Sequence, residues 1–300
     1  MNYFSMFSGI GGIELGIQIS HPEWECIGFS EIDKYAIATY KHHFPTHKNY
    51  GNATTIKPEN LPDFDMLCGG FPCQSFSIAG KRKGFQDVRG TLFFDIARIA
   101  SVKKPKMLFL ENVKGLLNHD KGSTFAKILE TLWELGYDVE WCVLNSKNFG
   151  VPQNRERVFI IGHLRGESFR QVFPIGENDK KIEKVNETGL QCIYDGNYQS
   201  KRIYGIGGLS PTVPTACGGQ HIPFIAGTLT GGGHSGGLHS DMTGIKKIDG
   251  RVRRLTPIEC ERLQGFPDNW TIGSDTQRYK QCGNAVTVNV IESIMRRINY

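Results

Sequence analysis

The sequence predicts an α/β protein whose first half is a parallel sheet covered by helices, and three observations carry that prediction. Over the first 165 residues, short apolar runs alternate with segments of helical period, the pattern left by successive strand–helix–strand units. A glycine-rich turn, Phe7-Ser8-Gly9-Ile10-Gly11-Gly12, joins the first apolar run to the first helical segment. After about residue 165 the style changes. Residues 170–190 are polar and charged, and residues 196–250 hold 14 of the 36 glycines with almost no helical period.

Each element has its own reason. Strands are expected at 3–7, 26–30, 65–68, 106–110, 139–144 and 157–162, where apolar and β-branched residues run together. Helices are expected between them at 12–19, 34–43, 91–102 and 123–135. The last places Phe125, Ile128, Leu129, Leu132 and Leu135 at helical spacing, which suits packing on a sheet. In the glycine-rich stretch, residues 210–221 and 226–234 look related, each a Thr-apolar step followed by a glycine loop ending near a histidine. They read either as hairpins with glycine turns or as adaptable loops reaching into a groove. Regularity returns near Arg253, with a helix over 256–264 capped by Thr256, led by Pro257 and closed by Gly265. A final helix is expected over 286–298.

The bulk numbers narrow the class. Of the 300 residues, 39% are hydrophobic and 22% charged, the balance of a water-soluble protein with a sizeable core. No apolar run approaches the ~20 residues of a membrane span, and the amino terminus lacks a secretion signal. The eight cysteines include no Cys-x-x-Cys pair, so a reducing, cytoplasmic setting is expected, with neither a zinc ribbon nor a dithiol site. Residues His221, His234 and His239 lack the partner spacing of a metal site, and no metal is expected. Net charge is +5, and all of the excess lies in residues 151–300, with 19 Lys and Arg against 14 Asp and Glu. That asymmetry fits a solvated basic face or a phosphate-facing surface.

Chemistry concentrates in Gly70-Phe71-Pro72-Cys73-Gln74. A strand runs into glycines and then presents a thiol behind a rigid proline, which is how a nucleophile is exposed at a strand end. Glu111-Asn112-Val113 follows a later strand, and Gln153-Asn154-Arg155-Glu156-Arg157 comes after that. The Phe7–Gly12 turn lets backbone approach a ligand at a helix amino end. Glu31, ending the second strand, stands where a ribose would be bound. The spacing is Gly-x-Gly-Gly rather than Gly-x-Gly-x-x-Gly, which argues against a dinucleotide.

In this order the motifs resemble those of the bacterial DNA cytosine carbon-5 methyltransferases over essentially the whole chain. The match comprises the Phe7–Gly12 loop, Glu31, residues 69–77, residues 84–90, Glu111 to Val113, Gln153 to Arg157, Arg253 through Pro267, and Gly283-Asn284-Ala285-Val286. It is closest to the small enzymes that carry only catalytic and recognition domains. The resemblance implies a Rossmann-like S-adenosylmethionine-dependent domain over 1–165 and 276–300. It further implies a smaller, glycine-rich, mainly β or irregular recognition domain over 166–250, and a hinge over 251–275. Duplex DNA would lie in the cleft, and the chain would act as a monomer. The cofactor would be held by Phe7, Gly9, Ile10, Gly11, Gly12, Glu31, Ile32, Asn52, Ala53, Pro72, Leu92, Asn284 and Val286. The family usually has an Asp where this chain has Asn52, whose carbonyl can still accept from an adenine amino group, though more weakly.

The implied mechanism makes Cys73 the nucleophile toward cytosine carbon 6 and Glu111 the group that holds a proton at ring nitrogen 3, its pKa raised by burial. Asn112 would fix the loop carrying Glu111. Arg155 would hold the base carbonyl or the Glu111 carboxylate, and Arg157 an adjoining carboxylate or phosphate. The base must be flipped out of the duplex, with Gln74, Ser77, Lys81 and Arg89 touching DNA and the intervening glycines allowing the loop to move. Gln199, Arg202 and Thr212 would read or position the DNA. Two rivals stand beside this reading: a transfer-RNA cytosine methyltransferase, and a DNA-binding protein that has lost catalysis. The resemblance leaves open a restriction-modification partner or a solitary, phage-type enzyme.

Overall fold

The computed structural model describes residues 1–72, 92–175 and 255–298, together with the backbone of short strands between 192 and 254. Its centre is a six-stranded sheet built from β1 (Asn2–Met6), β2 (Glu25–Ser30), β3 (Met66–Gly70), β4 (Met107–Val113), β5 (Tyr137–Asn145) and β7 (Glu156–Leu164), with the two-residue strand β6 (Gln153–Asn154) leading into β7. The spatial order is β2-β1-β3-β4-β7-β5. Strands β1, β2, β3 and β4 pair in parallel. The all-parallel expectation fails at one place, because β7 runs antiparallel between β4 and β5. Only a short 3-10 turn (Ser146–Phe149) and β6 separate β5 from β7, too little chain for a helical crossover, so the chain returns antiparallel.

The parallel strands are buried on both faces. Met66, Leu67, Cys68, Leu108, Phe109 and Leu110 expose none of their surface, as expected where helices cover a sheet on two sides. Helices α1 (Gly12–Ser20), α2 (Lys34–His43), α3 (Leu92–Lys103) and α4 (Ser123–Glu134) supply the cover, within a residue or so of expectation. Helix α4 contributes buried Phe125, Ile128 and Leu132 to the core with β4 and β7.

From Leu255 the chain rejoins this body. Helix α5 (Pro257–Leu263) starts with the expected cap: Thr256 and Glu259 form a capping box, with Pro257 in the first turn. Helices α6 (Asp275–Asn284) and α7 (Val288–Met295) follow. Helix α6 was not expected, since Tyr279 and Cys282 are its main buried apolar residues and the rest is polar. It docks on α2 through Thr39 Oγ1, which donates to Gln281 Oε1 at 2.7 Å and accepts from Ile272 N at 3.0 Å. Helix α7 lies on α1 so closely that a Cβ at Gly16 would sit 2.6 Å from Ile291. Within residues 255–275, Trp270 is buried, donates from its indole to Ile10 O at 2.9 Å, and stacks on His43.

A second, five-stranded sheet has the order β11-β13-β12-β9-β8, formed by β8 (Cys192–Tyr194), β9 (Ile203–Tyr204), β11 (Phe224–Ile225), β12 (Gly244–Lys246) and β13 (Val252–Arg254). Strand β10 (Ser210–Pro211) leaves it and pairs in parallel with β6 of the main body.

Candidate active site

A cavity of about 400 Å³ opens at the carboxyl ends of β1, β2, β3 and β4, where ligands bind in open α/β sheets. Twelve of the residues expected at the site line it: Phe7, Gly9, Ile10, Glu31, Ile32, Pro72, Leu92, Glu111, Asn112, Arg155, Arg157 and Asn284. They come from seven separate stretches of chain, and the sheet is what gathers them.

At one end stands Glu31, just past β2. Its carboxylate accepts from Gly9 N at 2.9 Å, Ile32 N at 2.7 Å and Asp33 N at 2.8 Å. Three bonds leave a carboxylate capacity for more, since it offers about four lone-pair directions. The Phe7–Gly12 turn beside it needs left-handed backbone, with φ of 56° at Phe7, 55° at Gly9 and 85° at Gly11. Its glycines do different work. Space opens beside Gly9, whereas a Cβ at Gly11 would meet Phe44 at 2.6 Å and one at Gly12 would meet Val286 at 2.9 Å. Gly11, Gly12 and Val286 therefore form the packed wall behind the turn and are not among the lining residues. Ile32 exposes 70% of its surface beside the cavity, an apolar face available to a flat ligand.

Asn52 and Ala53 are also outside the lining. Asn52 Oδ1 accepts from Thr54 N at 3.1 Å and so caps a 3-10 turn over Ala53–Thr55.

At the other end is a buried charged cluster. Glu111, at the end of β4, meets Arg157 Nε at 3.0 Å through Oε1. Burial pushes its carboxyl pKa up against the opposing pull of Arg157 and Arg155. Its other oxygen lies over Gly70, where a Cβ would stand 2.9 Å away. Arg155 lines the cavity, and its charge acts on Glu111. Its Nη2 donates to Gly283 O at 3.1 Å and Ala285 O at 2.7 Å, bracing the Gly283–Val286 loop, so the carboxylate partner is Arg157. Burial lowers the proton affinity of Arg155 more than Arg157 does, yet a guanidinium stays charged at neutral pH. Asn112 is hydrogen-bonded on both sides of its amide. Its Nδ2 donates to Phe71 O at 2.8 Å while its Oδ1 accepts from Val113 N at 2.8 Å, so it ties the end of β4 to the backbone that leads into Pro72.

The five residues Gln153 to Arg157 alternate. Gln153 and Arg155 are buried and Arg157 half-buried, while Asn154 and Glu156 are exposed. One edge of this strip meets α5 through Gln153 Nε2 and Leu263 O at 3.3 Å, its middle braces the glycine loop, and its end holds Glu111. Asp33 and Lys280, joined at 2.8 Å, close the cavity where α2 meets α6. They were missed by sequence reading; the only hint was their adjacency to Glu31 and to Gly283-Asn284. Cys73, Gln74, Ser77, Lys81, Arg89, Gln199, Arg202 and Thr212 lie outside the described residues. Among the described residues no group of three metal-ligating side chains stands together, and no helix is long and apolar enough to cross a membrane.

Comparison with known proteins gives one consistent result. The model of the family described as C-5 cytosine-specific DNA methylase matches residues 1–205 and 176–300. The Type II methyltransferase M.HhaI of Haemophilus parahaemolyticus is 36% identical over 99% of this chain and 94% of its own. The Type II methyltransferase M.HpaII of Haemophilus parainfluenzae is 40% identical over 99% of this chain and 88% of its own. Among solved structures, a Spodoptera frugiperda DNMT2 mutant superposes with a TM-score of 0.70 at 18% identity, covering 98% of this chain and 99% of that one, a likeness of Rossmann-like fold.

Proposed function

The chain belongs to the C-5 cytosine-specific DNA methylases and is a DNA cytosine-5-methyltransferase, and on that premise we propose that it methylates a cytosine flipped out of a short, specific duplex sequence through a covalent adduct on Cys73. The observation that carries this reading is the buried Glu111–Arg157 pair, tied through Asn112 to the backbone just before Cys73 and sharing one cavity with Glu31.

The cavity fits S-adenosylmethionine. Glu31 keeps capacity for ribose hydroxyls, Ile32, Pro72 and Leu92 offer apolar surface to a flat base, and the amino end of α1 favours a carboxylate. Asn52 can add an acceptor for the adenine amino group, since one amide oxygen lone pair remains beyond its cap. Val286, Gly11, Gly12 and Ala53 support the site from behind. When bound, S-adenosylmethionine supplies an electrophilic methyl group.

The protein's part is to make carbon 5 of the base reactive. The Cys73 thiolate adds to carbon 6, forming the S–C bond and pushing the ring electron pair toward nitrogen 3. Glu111, whose proton affinity burial raises, donates there. Arg157 orients Glu111 and is close enough to the carboxylate to reach the base carbonyl as well. After methylation, loss of the carbon 5 proton restores the double bond and releases Cys73. We assign Gln74, Ser77, Lys81 and Arg89 to the DNA backbone and flipped base, and Gln199, Arg202 and Thr212 to the recognition segment.

The enzyme acts as a monomer in the cytoplasm, bacterial or phage-encoded, either beside a restriction endonuclease or alone. The transfer-RNA reading is not favoured, because the relatives at 36% and 40% identity carry Type II methyltransferase names. Substituting Cys73→Ala tests the mechanism: methyl transfer to duplex DNA should vanish while DNA binding persists. A target containing 5-fluorocytosine should trap the wild-type chain covalently. Turnover by the alanine variant, or no adduct, refutes the mechanism.

A further inference from the structure

Glu14 has no part in the chemistry above, yet it is a fully buried acid with both oxygens unpartnered among the described residues. It sits at the third position of α1, directly after the Phe7–Gly12 turn, and exposes none of its surface. Neither carboxylate oxygen has a hydrogen-bond partner among the described residues. A buried charge without a partner costs several kcal/mol in real proteins, so the site must favour the neutral acid.

Its surroundings agree. The groups that face Glu14 are Tyr3 and Ser5 from β1, Ser8 from the turn, Cys26 from β2, Tyr40 from α2 and Cys68 from β3. None of these is a cation. Helix α7, on the far face of α1, meets it through Gly16 and Ile291, and its Glu292 is engaged by Arg296. Ser8 links the acid to the turn. Its hydroxyl is committed to Ser5, at 2.9 Å to Oγ and 3.3 Å to O, and its carbonyl accepts from Gly11 N at 3.0 Å. An ionised Glu14 would compete for that hydroxyl and disturb a turn already held in left-handed backbone at Phe7, Gly9 and Gly11.

We propose that Glu14 is a positioning residue for the cofactor: as a neutral acid next to the Phe7–Gly12 turn it leaves intact the Ser8–Ser5 bonds that brace the turn, and losing its proton draws on the Ser8 hydroxyl, loosens the turn and weakens cofactor binding. Burial raises its pKa from 4.5 to about 7, so the loss falls at physiological pH. The inference rests on the cofactor reading above and deepens it.

The test uses the whole chain. In the ligand-free protein, the carbon-13 carboxyl signal of Glu14 should titrate near neutrality, and the amide signals of Gly9 and Gly11 should move with the same midpoint. A carboxyl that titrates near the ordinary glutamate value of 4.5, or turn amides that ignore it, overturns the proposal. Affinities are then measured for S-adenosylmethionine and for its demethylated thioether, which lacks the sulfonium charge and so its direct attraction to a carboxylate. Wild-type affinity for both should fall about threefold or more between about pH 6 and about pH 8. Glu14→Gln, which copies the neutral acid, should bind both with no such fall. A wild-type profile that is flat, or a Gln variant that keeps the slope, overturns the proposal. Should neither ligand bind wild type at any pH, the cofactor reading fails, and the titration alone decides what Glu14 does to the turn.

Discussion

Residue identities at this site follow from what each side chain can satisfy. Glu31 spends three hydrogen bonds on backbone N–H groups, which fixes it rigidly while leaving it able to accept from a ribose. Glu31→Ala should therefore weaken S-adenosylmethionine binding by ~1–3 kcal/mol, read by calorimetry. Asn52→Asp should leave it equal or tighter, because a carboxylate both caps the 3-10 turn and makes the stronger bond. Much weaker binding by that variant would exclude the proposed contact. Gly70 is a case where space, not conformation, selects glycine. A Cβ there would press on Glu111 Oε2 at 2.9 Å, while Arg157 holds the other oxygen. Gly70→Ala should cut kcat about tenfold or more with cofactor affinity nearly unchanged, since a small misplacement of a catalytic group is costly. Single-turnover kinetics beside a binding isotherm would check it; unchanged kcat would mean that Glu111 has room to yield. The positions of Glu111, Glu31 and the first turn around one cavity were legible in the sequence. The division of labour between Arg155 and Arg157 was not, because two arginines at i and i+2 on one strand are equivalent until their partners are known.

At the scale of elements, legibility followed hydrophobic pattern. All six strands of the main sheet, β7 in its place though not in its sense, and helices α1 to α4 announce themselves by period, and α5 by its cap and proline. Helix α6 escaped because its ten residues, Asp275–Asn284, are mostly polar. What holds it is tertiary: Gln281 and Thr39 bond across to α2, and Tyr279 donates to Leu255 O. The reversed sense of β7 escaped for a related reason. An apolar strand buried on both faces reads alike in either direction, and only the short link from β5 sets its sense. The contact between α1 and α7 gives this scale its prediction. Gly16 lets the two helices approach until a Cβ would overlap Ile291 at 2.6 Å, with backbone N of Glu292 at 3.2 Å behind it. Although alanine is the better helix former by roughly 1 kcal/mol, Gly16→Ala should destabilise the protein by ~1–3 kcal/mol through overpacking. Denaturant unfolding measures this; a more stable variant would show that α7 can shift without loss.

The whole molecule raises the question of where catalysis ends and recognition begins. Sequence style places that border near residue 165, but the chain does not leave the body there. Val172 and Phe173 are buried in the cluster that also holds Phe159, Ile161 and Ile294. Their backbone N–H groups donate to the Glu140 carboxylate at 3.0 Å and 2.8 Å, and the same carboxylate pairs with buried His163 at 2.8 Å. These bonds hold the Glu140 carboxyl below its usual range despite its partial burial. On the return side, Leu255 is buried and its carbonyl accepts from Tyr279. A recognition segment from a relative of different specificity should therefore be joined after Ile175 and before Leu255. Such a chimera should keep the wild-type melting temperature within a few degrees and methylate the donor's target, read by methylation-sensitive sequencing. The reason is that base edges are read by side chains of the grafted part, whereas flipping and methylation use phosphates and the target base. A graft joined at Arg165 instead exchanges Val172 and Phe173, leaving a cavity and a Glu140 carboxylate held by His163 alone. It should lose about 3–5 kcal/mol or fail to fold. If the longer graft is as stable as the shorter one, the anchor at 172–173 is dispensable. If the shorter graft is active but keeps the original target, recognition lies in the catalytic body and the two-part division is wrong.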